Sequence, residues 1–283
     1  MRFGTMSSTT RSTAAWALGG LVTCATIAAC TTGYASIRAS RLLVVDRNDT
    51  LRGDEPYLGA IQWASIYGEP ESTRVTVYDA LTSLGSQVRP GESRSVPEEV
   101  GAAPFGLVSV LSRDDVEREG HSPGIGGVIY VALEEDHGGR SQVRERLHEV
   151  AAELEEILVE HVEQETWDRF AVPLTLQAIQ EGLSDGEPGS CGILNSRACR
   201  WFRGRLGDDF IGQATLIYVG VDQPYFDVLV PTWRAAAGLS RATWPECGDA
   251  VSPVCPVVGG THELQLGGGD GEYRLTTTLT FPR

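Results

Sequence analysis

The chain has 283 residues, with 23 basic against 38 acidic side chains and a formal charge of −15. Every basic residue is Arg, so chemistry that needs an amine side chain, such as a Schiff base or a P-loop lysine, is excluded. The acidic balance argues against nucleic acid and bare anionic lipid as ligands, because phosphate binding needs clustered positive charge. Hydrophobic residues at 41% allow a packed core, and 33 Gly with 14 Pro predict many turns between short strands.

The first 13 residues carry Arg2 and Arg11 and no acid, and residues 14–29 read AAWALGGLVTCATIAA. A charged stretch followed by an apolar one is the pattern of an export signal. The apolar part makes about 24 Å of helix, short of the roughly 20 residues that span a bilayer. A spanning anchor helix is the alternative. Ile27-Ala28-Ala29-Cys30 resembles the lipobox of bacterial lipoproteins: an aliphatic residue, two small residues and the Cys that takes the lipid. The resemblance implies cleavage before Cys30 and a diacylglycerol on its sulfur, so that the membrane is reached through the anchor. Residues 1–29 are then the signal, 30–40 a linker, and 41–283 one β-rich domain. A plain secretory signal cut after Gly33-Tyr34-Ala35 is the other reading, and both place the mature chain outside the cytoplasm.

The domain opens with Arg41–Val45 (RLLVV), expected as a strand after a polar stretch. An acidic turn, DRNDTLRGDEP, leads to a second strand at Tyr57–Ser65, and Arg74–Tyr78 alternates with period two. Residues 82–103 read as a loop. Phe105–Leu111 and Gly127–Leu133 are apolar runs, the second long enough for a buried strand. Val143, Leu147, Val150, Leu154 and Ile157 recur at steps of three and four and predict a helix over Ser141–Trp167, with Ser141 as N-cap. Pro173 predicts a break, followed by a shorter helix over Leu174–Leu183. Strands are expected again at Ala214–Val219, Tyr225–Val230 and His262–Leu266. GGGDG (267–271) then turns into a closing strand in which Leu275, Thr277, Leu279 and Phe281 alternate with Arg274, Thr276, Thr278 and Thr280.

Four cysteines lie in this part: Cys191, Cys199, Cys247 and Cys255. An even number suits disulfides in an oxidising compartment. Local pairing, 191 with 199 and 247 with 255, is the simplest of three connectivities. A zinc site from all four is the alternative, although zinc ligand pairs usually enclose about two to four residues and the spacing here is wider.

Two acidic motifs stand in order, VVDRNDTLRGDEPYLGAIQW and WFRGRLGDDFIGQATL. Together they resemble the C2 domain, a β-sandwich in which an acidic first loop ends in Asp-Pro-Tyr and a later one in Asp-Asp-x-Ile-Gly. The resemblance implies a mainly β (α+β) fold, an antiparallel C2-like sandwich, here with a helical segment inserted at about 141–183. It also implies calcium on Asp46, Asp49, Asp54, Asp208 and Asp209, since two loops at one end of a sandwich can converge the six to eight oxygens that calcium takes. The chain departs from the family at an inserted Glu55, and at Trp201 and Arg203, where C2 domains carry Asp-x-Asp. The alternative is that these acids cap turns.

Other constellations point less far. Glu145-x-x-His148 has the spacing of half a di-iron site but stands as a single copy. Glu149, Glu153, Glu156, Glu160 and Glu163 share one helix face, which reads as solvated or as a docking face for a basic partner. His121, His137 and His262 lie in loops or at strand starts, with no Gly-x-Ser-x-Gly elbow in the chain. The expectation is an exported, lipid-anchored envelope protein with a binding or structural role, dependent on calcium if the acidic loops hold it, and with an envelope protein or polymer as partner. A secreted hydrolase without a local motif is the alternative.

Overall fold

The computed structural model describes residues 35–46, 55–101, 103–105, 109–135, 139–164, 167–182, 209–236, 254–257, 259–268 and 271–280. Strands β1 (Ala35–Asp46), β2 (Pro56–Ile66) and β3 (Glu69–Tyr78) come first, then β4 (Ser93–Ser95), α1 (Glu98–Gly101) and β5 (Ala103–Phe105). Helix α2 (Arg113–Glu117) precedes β6 (Gly124–Glu134). Helices α3 (Arg140–Gln164) and α4 (Ala171–Gly182) lie between β6 and β7 (Asp209–Val219). Helix α5 (Gln223–Ala236), β8 (Val254–Val257), β9 (Gly260–Gly268) and β10 (Glu272–Thr280) complete the order.

The strands form one sheet in the order β3-β2-β6-β7-β9-β10-β1-β4, with β5 on β1 and β8 on β7. All pairings are antiparallel except β7 with β8. The sheet curls over itself. Leu58, Ala60, Val128, Tyr130 and Leu216 of β2, β6 and β7 form one core with Ile37, Leu42, Leu264, Leu275 and Leu279 of β1, β9 and β10. Their alternate neighbours, Ile61, Trp63, Ile129, Leu133 and Ile217, form a second core with Leu147, Leu154, Leu158 and Ile179 of the helices and with Trp233. The fold is therefore an antiparallel, sandwich-like α+β fold, with helices inserted between β6 and β7 as expected. Strands β2 and β6 are covered on both faces, which explains their unbroken apolar runs in an antiparallel sheet.

Local departures have local causes. Strand β1 begins at Ala35, so residues 35–40 belong to it instead of a linker: Ile37 and Ala39 are buried while Arg38 and Ser40 face water. The loop at 82–103 contains β4 and α1, held by Leu84, Val88, Val96 and Val100, four buried residues scattered among polar ones. Ser141 does not cap α3. The helix begins at Arg140, and the Gln142 and Val143 amides donate to the Gly139 carbonyl. Pro173 breaks nothing, because it sits in the first turn of α4, where its missing N–H has no intrahelical partner to lose.

Tyr225–Val230 is helix, not strand. Asp222 caps α5: its Oδ1 accepts from the Tyr225 amide at 2.9 Å, and its carbonyl accepts from the Phe226 amide. Tyr225, Leu229 and Trp233 recur at four-residue steps and are all buried, so tertiary packing overrides the strand propensity of YFDVLV. Among the described residues no helix is long and apolar enough to cross a membrane.

Candidate functional site

The register of the sheet brings six strand ends together. At the finish of β1, Asp46 stands opposite Glu272, the first residue of β10. Glu272 is opposite Gly267 at the finish of β9, and Gly267 is opposite Gln213 near the start of β7. Asp209, first in β7, is opposite Glu134 at the finish of β6, and Glu134 is opposite Pro56 at the start of β2. The segments 47–54, 136–138, 183–208 and 269–270 all join this one end of the sheet.

Asp46 and Asp209 thus belong to the same end of the sheet. Asp49, Asp54 and Asp208 lie outside the described residues, as do Cys30, Cys191, Cys199 and Cys247. Cys255 is opposite Leu216 in the β7–β8 pairing. What the sequence left unremarked is that Glu134 and Glu272 join the acidic set. Their signal was available only through register: each occupies the ladder position facing an Asp.

Two ladder positions therefore set like charges directly opposite, Asp46 with Glu272 and Glu134 with Asp209. Such pairs destabilise a sheet unless something compensates them. Glu134 is 4% exposed, a carboxylate withdrawn from water on the inner face of β6. Among the neighbouring cations, Arg140 contacts Glu135 and lies over the Tyr57 ring at 5.4 Å, and Arg274 reaches Glu263 at 3.3 Å and Glu272 at 3.5 Å. The donors at this end are all hard oxygens, which fits calcium in kind.

Several of the other histidines and acids have structural partners. His148 Nε2 lies 3.1 Å from Asp79 Oδ2, and Arg144 reaches the same carboxylate at 3.3 Å and the Asp79 carbonyl at 3.0 Å. This ties the start of α3 to the end of β3. His262 Nε2 donates to the Gly259 carbonyl at 2.9 Å, and His137 lies outside the described residues. Glu149, Glu153, Glu156 and Glu160 are exposed, and Glu149 pairs with the nearly buried Arg146 at 2.6 Å.

One group missed from sequence has metal-type side chains. Ligand atoms of Asp115, Glu119 and His121 lie within 4.8 Å of one another. Asp115, however, forms a capping box with Ser112 at the start of α2. Its carboxylate accepts from the Ser112 amide and hydroxyl, both at 2.7 Å, which holds its pKa below the usual carboxylate range. Glu119 lies 3.6 Å from Arg118. The group is explained as a helix cap.

No family model, curated protein or solved structure matches this chain.

Proposed function

We propose that the chain is an exported protein, anchored at the outer face of the cell membrane through a lipid on Cys30, and that the acidic end of its sandwich binds calcium. The anchor reading is supported by the Arg-flanked apolar segment that closes on Ile27-Ala28-Ala29-Cys30. The binding reading is carried by one observation, the like-charged pairs Asp46–Glu272 and Glu134–Asp209 at the end of the sheet where the acidic loops enter and leave. A divalent cation bound at this end would offset that repulsion. Through it the same end can meet an acidic envelope polymer or protein, which the net charge of −15 would otherwise repel.

Two measurements test this. Radioactive palmitate fed to the producing cells is incorporated into the wild-type chain and lost in Cys30→Ala; equal labelling of both overturns the anchor. For the site, calcium at about 100 times its Kd adds about 2.7 kcal/mol, a rise in melting temperature of about 5–10 °C that chelator reverses. An unchanged melting temperature at millimolar calcium leaves these acids as turn formers.

A further inference from the structure

Strand polarity fixes where a lipid on Cys30 would hold this domain. Only residues 31–34 separate Cys30 from Ala35, the first residue of β1. Fully extended, the chain from Cys30 to Ala35 spans at most about 18 Å. Strand β1 itself runs for about 36 Å and finishes at Asp46, in the acidic end. The tether therefore enters at the opposite end of the sheet. There Ser36 is opposite Thr280 at the finish of β10, Ile125 near the start of β6 is opposite Val219 at the finish of β7, and Gly124 is opposite Ile66 at the finish of β2.

Among the described residues the large apolar side chains that stand exposed are Val110, Leu174 and Val228. Scattered singly they would need no explanation, but all three belong to the tether end. Val110 adjoins Leu111, whose amide donates to the Gly220 carbonyl at 3.0 Å, just past the finish of β7. Val228 lies on α5, which leaves from that same finish, and stands about 7.5 Å along the helix from its first residue, Gln223. Leu174 adjoins Thr175, whose hydroxyl is 2.8 Å from that of Tyr67, just past the finish of β2. Half-buried Trp167, its ring 5.3 Å from that of Tyr67, and half-buried Phe170, with the Arg169 guanidinium 4.8 Å over its ring, belong to the same end. Such amphipathic side chains suit a lipid–water boundary. The exposed charges of α2 at this end are partly offset in pairs, Arg113 with Glu117 at 2.7 Å and Arg118 with Asp114 at 3.5 Å.

We propose that the domain docks end-on, with Val110, Leu174 and Val228 resting in the lipid–water interface of the bilayer that holds the lipid on Cys30, and with the acidic end turned away from the membrane. This rests on the anchor reading and adds to it which surface of the domain the membrane covers. The contact is apolar, so it does not call for anionic lipid. The test uses the full lipidated chain in phosphatidylcholine vesicles with tritiated acyl chains. A benzophenone photo-crosslinker replaces Leu174, Val228 or, towards the acidic end, the exposed Ser93, which is opposite Leu43 near the finish of β1. The expected result is that each chain floats with the vesicles and that light transfers several-fold more tritium at Leu174 and at Val228 than at Ser93. Flotation without that excess overturns the end-on docking and leaves the anchor standing. A wild-type chain that floats no better than Cys30→Ala overturns the anchor, and the docking with it.

Discussion

Gly212→Val is expected to open the sandwich and lower stability by about 3 kcal/mol or more, a large share of the roughly 5–15 kcal/mol that a domain has. Gly212 sits where the two halves of the curled sheet join: β7 meets β9 through Gly212 opposite Gly268 and Gln213 opposite Gly267. A Cβ at this position would lie 2.8 Å from the Leu266 carbonyl carbon and 2.9 Å from the Gly267 Cα. These are backbone atoms and have no rotamer to escape into, so the strands must part. Gly267→Ala is the control, because its added Cβ meets nothing closer than 3.7 Å. Urea denaturation followed by circular dichroism should show a lower midpoint for Gly212→Val and a near wild-type midpoint for Gly267→Ala. Equal midpoints for Gly212→Val and wild type would mean that the β7–β9 seam does not hold the halves together.

Leu147→Ala should cost about 2–5 kcal/mol, by loss of buried methyl groups and by the space they leave. Leu147 is fully buried, and its Cδ1 would stand 2.6 Å from a Cβ placed on Gly59 of β2. The helix is thus seated by a knob over a glycine hole. The reciprocal change, Gly59→Ala, is destabilising in the wild-type background, because the Leu147 side chain must move. Combined with Leu147→Ala it should be tolerated, giving a coupling of about 0.5 kcal/mol or more in a double-mutant cycle. Strictly additive effects would contradict this account of how α3 docks.

The parts of the fold that were legible in sequence are those where one physical requirement dominated. The closing strand could be read from Tyr273, Leu275, Thr277 and Leu279, all buried, against half-buried alternates. Helix α3 was readable because Val143, Leu147, Val150, Leu154 and Leu158 fill one stripe that a single sheet face covers. Helix α5 was hidden, because YFDVLV satisfies strand propensity and only the cap at Asp222 and the four-residue steps to Trp233 decide otherwise. Strand β1 was half hidden, since the sequence from Ala35 to Ser40 alternates with small and polar residues that carry little hydropathy contrast.

The site divides in the same way. Asp46 and Asp209 are visible as members of acidic runs, while Glu134 and Glu272 gain meaning only from facing them across the ladder. Register between strands so far apart in sequence is a tertiary property and leaves no local mark.

Calorimetric titration of the metal-free chain with calcium, run beside Asp46→Asn and Asp209→Asn, tests the proposed site most directly. Saturable calcium binding by the wild-type chain, weakened at least tenfold in each variant while both keep the wild-type circular dichroism spectrum, is the predicted result. No heat of binding in the wild-type chain, or equal affinity in all three proteins, would contradict it.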